Sequence, residues 1–185
     1  MKKVFVALLA CFLFLAGCVQ PSVSSSGGDV ITIVVPREYV DLIGLDVKDL
    51  QNSGEEAGFA SVHGNDDGTV TISMTKDKQR ELLEELARQI EAFMQELKEN
   101  GEQYVCIKDI KAHDDYACFT VTLSKDKVGV GETMAMYLLF AFGIVYGILE
   151  GDGKAVQVDF VDSNGRLIQS GDSSSLSDLL SNFLP

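Results

Sequence analysis

An α+β fold is what this sequence predicts: a mainly antiparallel sheet built from three hairpins plus an N-terminal strand, with two main helices packed on it. Two observations carry the prediction. Short strand-like runs flank the turn sequences Asn65-Asp66-Asp67-Gly68, His113-Asp114-Asp115 and Ser163-Asn164-Gly165, whose Asp, Asn and Gly residues suit tight reversals. Two longer stretches, 75–99 and 131–149, read as helices. Hairpins make antiparallel neighbours, and the helices must cover an apolar sheet face.

Val30 to Val35 (Val-Ile-Thr-Ile-Val-Val) is β-branched and apolar on both faces, which suits a central strand covered on both sides. Pro36 stops the ladder and can open a helix at its first position. Short helices are expected around 37–43 and 46–53, separated by Gly44, with Asp46 as N-cap of the second. Phe59 to His63 and Thr69 to Thr75 form the first hairpin. In its second arm Val70, Ile72 and Met74 alternate with Thr71, Ser73 and Thr75, so one face is buried. Thr75 then caps a helix to about Glu99, in which Leu82, Leu83, Leu86, Ile90, Phe93, Met94 and Leu97 form one stripe. Asn100-Gly101 ends it. Tyr104 to Ala112 and Tyr116 to Leu123 make the second hairpin. After the helix of Gly131 to Leu149, Ala155 to Val161 and Arg166 to Gln169 make the third. The segment beyond Gly171 is Ser-rich, with a short apolar stretch from Leu176 to Leu184. The repeated hairpin–helix order hints at duplication, but matching side chains are too sparse to claim one.

The chain has 185 residues and is 46% hydrophobic and 23% charged, with 3 prolines, which excludes collagen-like and wholly disordered classes. Its length favours one globular domain. A net charge of −13 excludes a nucleic-acid groove, because phosphate binding needs a local excess of Lys and Arg. No Walker loop, GxSxG, HExxH or CxxC occurs. No catalytic residue, cofactor or metal site is therefore assigned, and a non-enzymatic role is expected.

The N-terminus carries the most specific signal. Lys2 and Lys3 precede an uninterrupted apolar run from Val4 to Leu15. As a helix that run reaches only about 18 Å, too short for a hydrocarbon core of about 30 Å, so it reads as a cleavable signal segment. Leu15-Ala16-Gly17-Cys18 follows. This order resembles the lipobox of bacterial lipoprotein precursors. The resemblance implies that Cys18 receives a diacylglycerol on its thiol, that residues 1–17 are removed by a type II signal peptidase, and that Cys18 becomes the first residue. Residues 18–29 then form the lipidated cysteine and a Ser/Gly-rich tether, 30–171 the α+β domain, and 172–185 a Ser-rich tail. Removing residues 1–17 takes away two lysines and no acids, which leaves −15. Anionic lipid would repel such a domain, so adhesion must come from the acyl chains, at about 0.8 kcal/mol per buried methylene.

The mature part also resembles uncharacterised small lipoproteins of Gram-positive bacteria. The likeness lies in the element order, the Ile-Thr-Ile-Val-Val-Pro-Arg-Glu-Tyr-Val segment and the closing Val-Gln-Val-Asp-Phe-Val-Asp-Ser-Asn-Gly hairpin. It implies no active site. Expected partners are the membrane, through the N-terminal lipid on the extracytoplasmic face of the cell membrane, and an envelope protein, peptide or small ligand.

Other residue groups have readings of their own. Met134 to Leu149 has sixteen residues without charge. At about 24 Å it is short for a span, which favours a core helix between the sheet and the long helix. A membrane protein spanning through 133–149 is one alternative, and an enzyme with an unfamiliar site is another. With the second hairpin centred on Asp114-Asp115, Cys118 falls opposite Lys111 and Cys106 opposite Leu123. A Cys106–Cys118 disulfide then needs a bulge, and buried free thiols are the other outcome. His63 and His113 each precede an Asp-Asp turn, where turn chemistry accounts for the acids without a metal. The acids of the long helix read as a solvated face with Arg80–Glu84 and Glu84–Arg88 at four-residue spacing.

Overall fold

A computed structural model describes residues 29–43, 47–99 and 104–175. Cys18, the signal segment, the Ser/Gly tether up to Gly28 and the Leu176 to Leu184 stretch lie outside them. The chain divides into two compact units, with the boundary between Glu81 and Leu82.

The first unit holds β1 (Val30–Val35), α1 (Arg37–Ile43), α2 (Val47–Glu56), β2 (Ser61–Gly64) and β3 (Val70–Thr75), and it ends in the first residues of α3 (Lys76–Glu99). Its sheet is antiparallel in the order β1-β3-β2. The β2–β3 hairpin turns where Asn65 and Gly68 direct it. Gly68 takes a left-handed φ of 85°, and its N–H donates to the Asn65 carbonyl. Ile33, Val70, Ile72 and Met74 are buried on one face. Helix α2 lies close on β2, and the Gln51 amide donates to the Val62 carbonyl at 3.1 Å. Thr75 caps α3 as expected, its Oγ1 accepting from the Lys78 N–H.

In the second unit, α3 continues from Leu82 and is followed by β4 (Ile107–Ala112), β5 (Cys118–Leu123), α4 (Val130–Glu150), β6 (Gln157–Val161), β7 (Leu167–Asp172) and a 3-10 turn (Ser173–Ser175). The sheet order is β4-β5-β6-β7. The outer pairs are antiparallel hairpins, whereas β5 and β6 run parallel. A parallel pair needs a crossover, and α4 supplies it.

The α+β class and all three hairpins therefore stand, while the strands distribute over two sheets and not one. The physical reason is that turn chemistry fixes pairing across each turn but is silent on which hairpins share a sheet. The N-terminal strand differs too: among the described residues β1 is an edge and not a central strand. β7 runs on to Asp172, past the expected end at Gln169. Ser173 locks that end, because its N–H donates to the Val156 carbonyl and its Oγ accepts from the Val156 N–H.

Helix α4 packs on the apolar sheet face formed by Phe119, Val121, Leu123, Val158 and Phe160. Gly171 of β7 admits Met136 and Phe140, and Gly143 of α4 admits Val156. On α4's other side, Phe142 meets Phe93 of α3 with ring centroids 5.2 Å apart. The helix is long and apolar enough to cross a membrane by length and composition alone. Its flanking strands β5 and β6 are neighbours in one sheet, as a crossover helix requires. It ends at Gly151, whose φ of 90° and N–H bonds to the Gly147 and Ile148 carbonyls close the last turn. On α3 the ion pairs differ from the four-residue spacing expected: Arg80 reaches back to Asp77 and Arg88 to Glu85, each at three-residue spacing.

Candidate functional site

The residue with the clearest chemical assignment, Cys18, lies outside the described residues. The other chemistry-bearing side chains can be followed one by one.

Cys106 and Cys118 are free thiols. The hairpin register places Thr120 opposite Lys111, two residues from the expected Cys118. Cys118 instead lies next to the turn, its carbonyl accepting from the His113 N–H, while the Cys106 carbonyl accepts from Ser124 at the far end. A bulge does occur, between Ile107 and Asp109, but the two cysteines sit at opposite ends of the pairing. Burial, then the nearby Asp159 and Asp115 carboxylates, push the Cys118 thiol up. A raised thiol is protonated at neutral pH and is a poor nucleophile or metal ligand. Glu132, which is only 4% exposed, is engaged by the backbone. Its two oxygens accept from the Gly129 N–H at 3.0 Å and the Cys106 N–H at 3.3 Å, so it secures the start of α4 to the start of the β4 segment.

The turn aspartates are likewise occupied. Asp67 accepts from the hydroxyl and N–H of Thr69, Asp152 from Lys154, Asp162 from the N–H groups of Arg166 and Asn164, and Asp172 from Ser174. Side-chain bonds to Thr69, Lys154 and Ser174 and backbone bonds to Arg166 and Asn164 hold these carboxyls below the ordinary aspartate value of 3.8. Their pKa is depressed by folding, so their contribution to stability is present above the unfolded value and is lost as pH falls through the folded one. Thermal unfolding followed downward from about pH 5 should therefore show stability declining below about pH 4. Asp162→Asn keeps an oxygen for the two N–H groups but removes the charge, so its decline should be shallower. An unchanged acid profile in this variant would contradict the assignment.

His63 lies on β2 opposite Thr71, and His113 opens the β4–β5 turn. Among the described residues no group of three or more His, Cys, Asp or Glu side chains is arranged to hold a metal ion. Tyr116 is the unusual member of that second turn. It is the only non-glycine residue with positive φ among those described, at 51°. Its ring stacks edge-on against Tyr146 with centroids 4.8 Å apart, and its hydroxyl donates to Glu91 Oε1 at 3.4 Å. Burial, then Glu91, raise its pKa. These contacts explain the backbone conformation as a packed corner, without recourse to a ligand.

What is left is a surface that the sequence did not point to. Val30 and Val34, on the edge strand β1, are 60% and 54% exposed. With Thr32 they form a row on one side of that strand, and Thr71, Ser73 and Thr75 of β3 lie beside them in register. Pro36 directly after β1 was the available signal, since proline favours edges.

No protein-family model matches the chain, and comparison with curated proteins and with solved structures found no match.

Proposed function

We propose that the protein is a lipoprotein anchored through Cys18 on the extracytoplasmic face of the cell membrane, with a folded part that binds a partner and does not catalyse. The observation that carries this reading is the order of Lys2-Lys3, the apolar run Val4 to Leu15, and Leu15-Ala16-Gly17-Cys18. A cysteine after two small residues offers the thiol for acylation, and the short apolar run suits export and removal. A remaining charge of −15 leaves the acyl chains as the source of membrane affinity. The non-catalytic part of the proposal draws on the engaged aspartates and the raised Cys118 thiol. The bound partner would be an envelope protein, a peptide or a small ligand.

Metabolic labelling with a radioactive fatty acid tests the anchor. The native chain should incorporate label and sediment with membranes. Cys18→Ser should lose both, and unchanged labelling of this variant would refute the assignment.

A further inference from the structure

We propose that the open edge of β1 is a self-association surface, on which two copies of this chain pair β1 with β1 antiparallel about a two-fold axis at Thr32. In an antiparallel ladder alternate residues turn their main-chain groups to opposite sides. The Lys76 N–H donates to the Asp29 carbonyl across β1 and β3, and the Ala60 N–H donates to the Ser73 carbonyl on the β2 side of β3. Together with the register, these bonds assign the groups of Ile31, Ile33 and Val35 to β3. The N–H and C=O groups of Val30, Thr32 and Val34 therefore face the open edge.

That row is self-complementary. Pairing Thr32 with Thr32 of a second copy sets Val30 against Val34 at both ends and forms about six main-chain hydrogen bonds. It juxtaposes Val with Val and Thr with Thr, which are favourable cross-strand neighbours. Residues 30–35 carry no charge in a chain of −13, so the seam itself brings no repulsion. Asp29, just ahead of it, is paired with Lys76 at 2.8 Å. Pro36 has no N–H to extend the ladder, and its carbonyl already accepts from Tyr39 and Val40, which limits the seam to these residues.

The edges at β2 and β4 are protected where this one is not. The Val62 carbonyl of β2 is taken by Gln51, and β4 carries exposed Lys108 and Lys111. Among the described residues no strand lies beyond β1. A single strand pair is small beside the roughly 1,600 Å² of a standard interface, so free copies associate weakly. Confinement to one bilayer would strengthen the pairing, but its geometry does not depend on the anchor.

Covalent trapping in the full chain tests this. In a Cys106→Ser, Cys118→Ser background, Thr32→Cys places two thiols opposite each other on strands with Cα atoms about 5.5 Å apart, within disulfide range. Oxidation should yield a dimer on a non-reducing gel, well above the background lacking Thr32→Cys. Ser73→Cys, on the same face of the inner strand, should not cross-link. Adding Val34→Lys or Val34→Pro to Thr32→Cys should lower the dimer fraction about tenfold, with the melting temperature preserved because position 34 is exposed and its N–H faces outward. No dimer above background, which is also what an occupant other than a second copy would give, overturns the proposal. So does a dimer that survives both Val34 substitutions, or equal cross-linking through Ser73→Cys.

Discussion

Gly143→Val should strongly destabilise the second unit, by about 3 kcal/mol. A methyl group at position 143 would lie 2.6 Å from the Tyr116 carbonyl oxygen and 2.8 Å from both γ-methyls of Val156. Neither neighbour can give way cheaply. The Tyr116 carbonyl belongs to a turn whose residue sits at φ 51° and is held by its N–H bond to the His113 carbonyl. Val156 is fixed through both main-chain groups to Ser173. Valine adds two further carbons to that clash. Gly147→Ala, one turn later on the same helix, is the control. Its new methyl would be no closer than 3.7 Å to any neighbour. It should be neutral or stabilising by about 0.5–1 kcal/mol, because glycine in a helix interior is entropically unfavourable. Urea unfolding of both variants checks the pair, and equal stabilities would contradict the α4 packing.

Phe160→Ala should cost about 3–5 kcal/mol. Phe160 is completely buried in β6, with Val121 of β5 and Gln169 of β7 as its lateral neighbours in register. Truncation would leave a cavity beneath α4 that the parallel β5–β6 pair, hydrogen-bonded on both sides, cannot collapse to fill. Leu167→Ala on the neighbouring strand should change stability by less than about 0.5 kcal/mol, since that side chain is 57% exposed. Thermal unfolding of the two variants distinguishes a core position from a surface one. A Phe160→Ala protein as stable as the native chain would mean that the sheet face is not covered.

Several elements were legible because their signals are local. The α3 stripe and its Thr75 cap, the Asn65 to Gly68 turn and the apolar α4 all follow from periodicity or turn chemistry within a few residues of sequence. The errors arise where the deciding interaction is distant. Whether β5 continues to β6 depends on where α4 lies, and nothing in Cys118 to Leu123 states that. The two-residue register difference in β4–β5 follows from the tight corner at Tyr116, a left-handed tyrosine that turn propensities disfavour and that Tyr146 and Glu91 stabilise from other elements. Val30 to Val35 is apolar enough for a central strand, yet hydrophobicity alone does not separate a buried strand from an edge awaiting a partner. The self-complementarity of β1 emerges only once the register fixes which groups point outward.

The central claim, that the chain is held at the membrane by acyl groups on Cys18, is tested most directly by mass spectrometry of the protein extracted from the membranes of its own cells. The account requires an N-terminal peptide that begins at Cys18 and carries the added mass of a diacylglycerol. A peptide beginning at Met1, or one that contains Cys18 with an unmodified thiol, would contradict it.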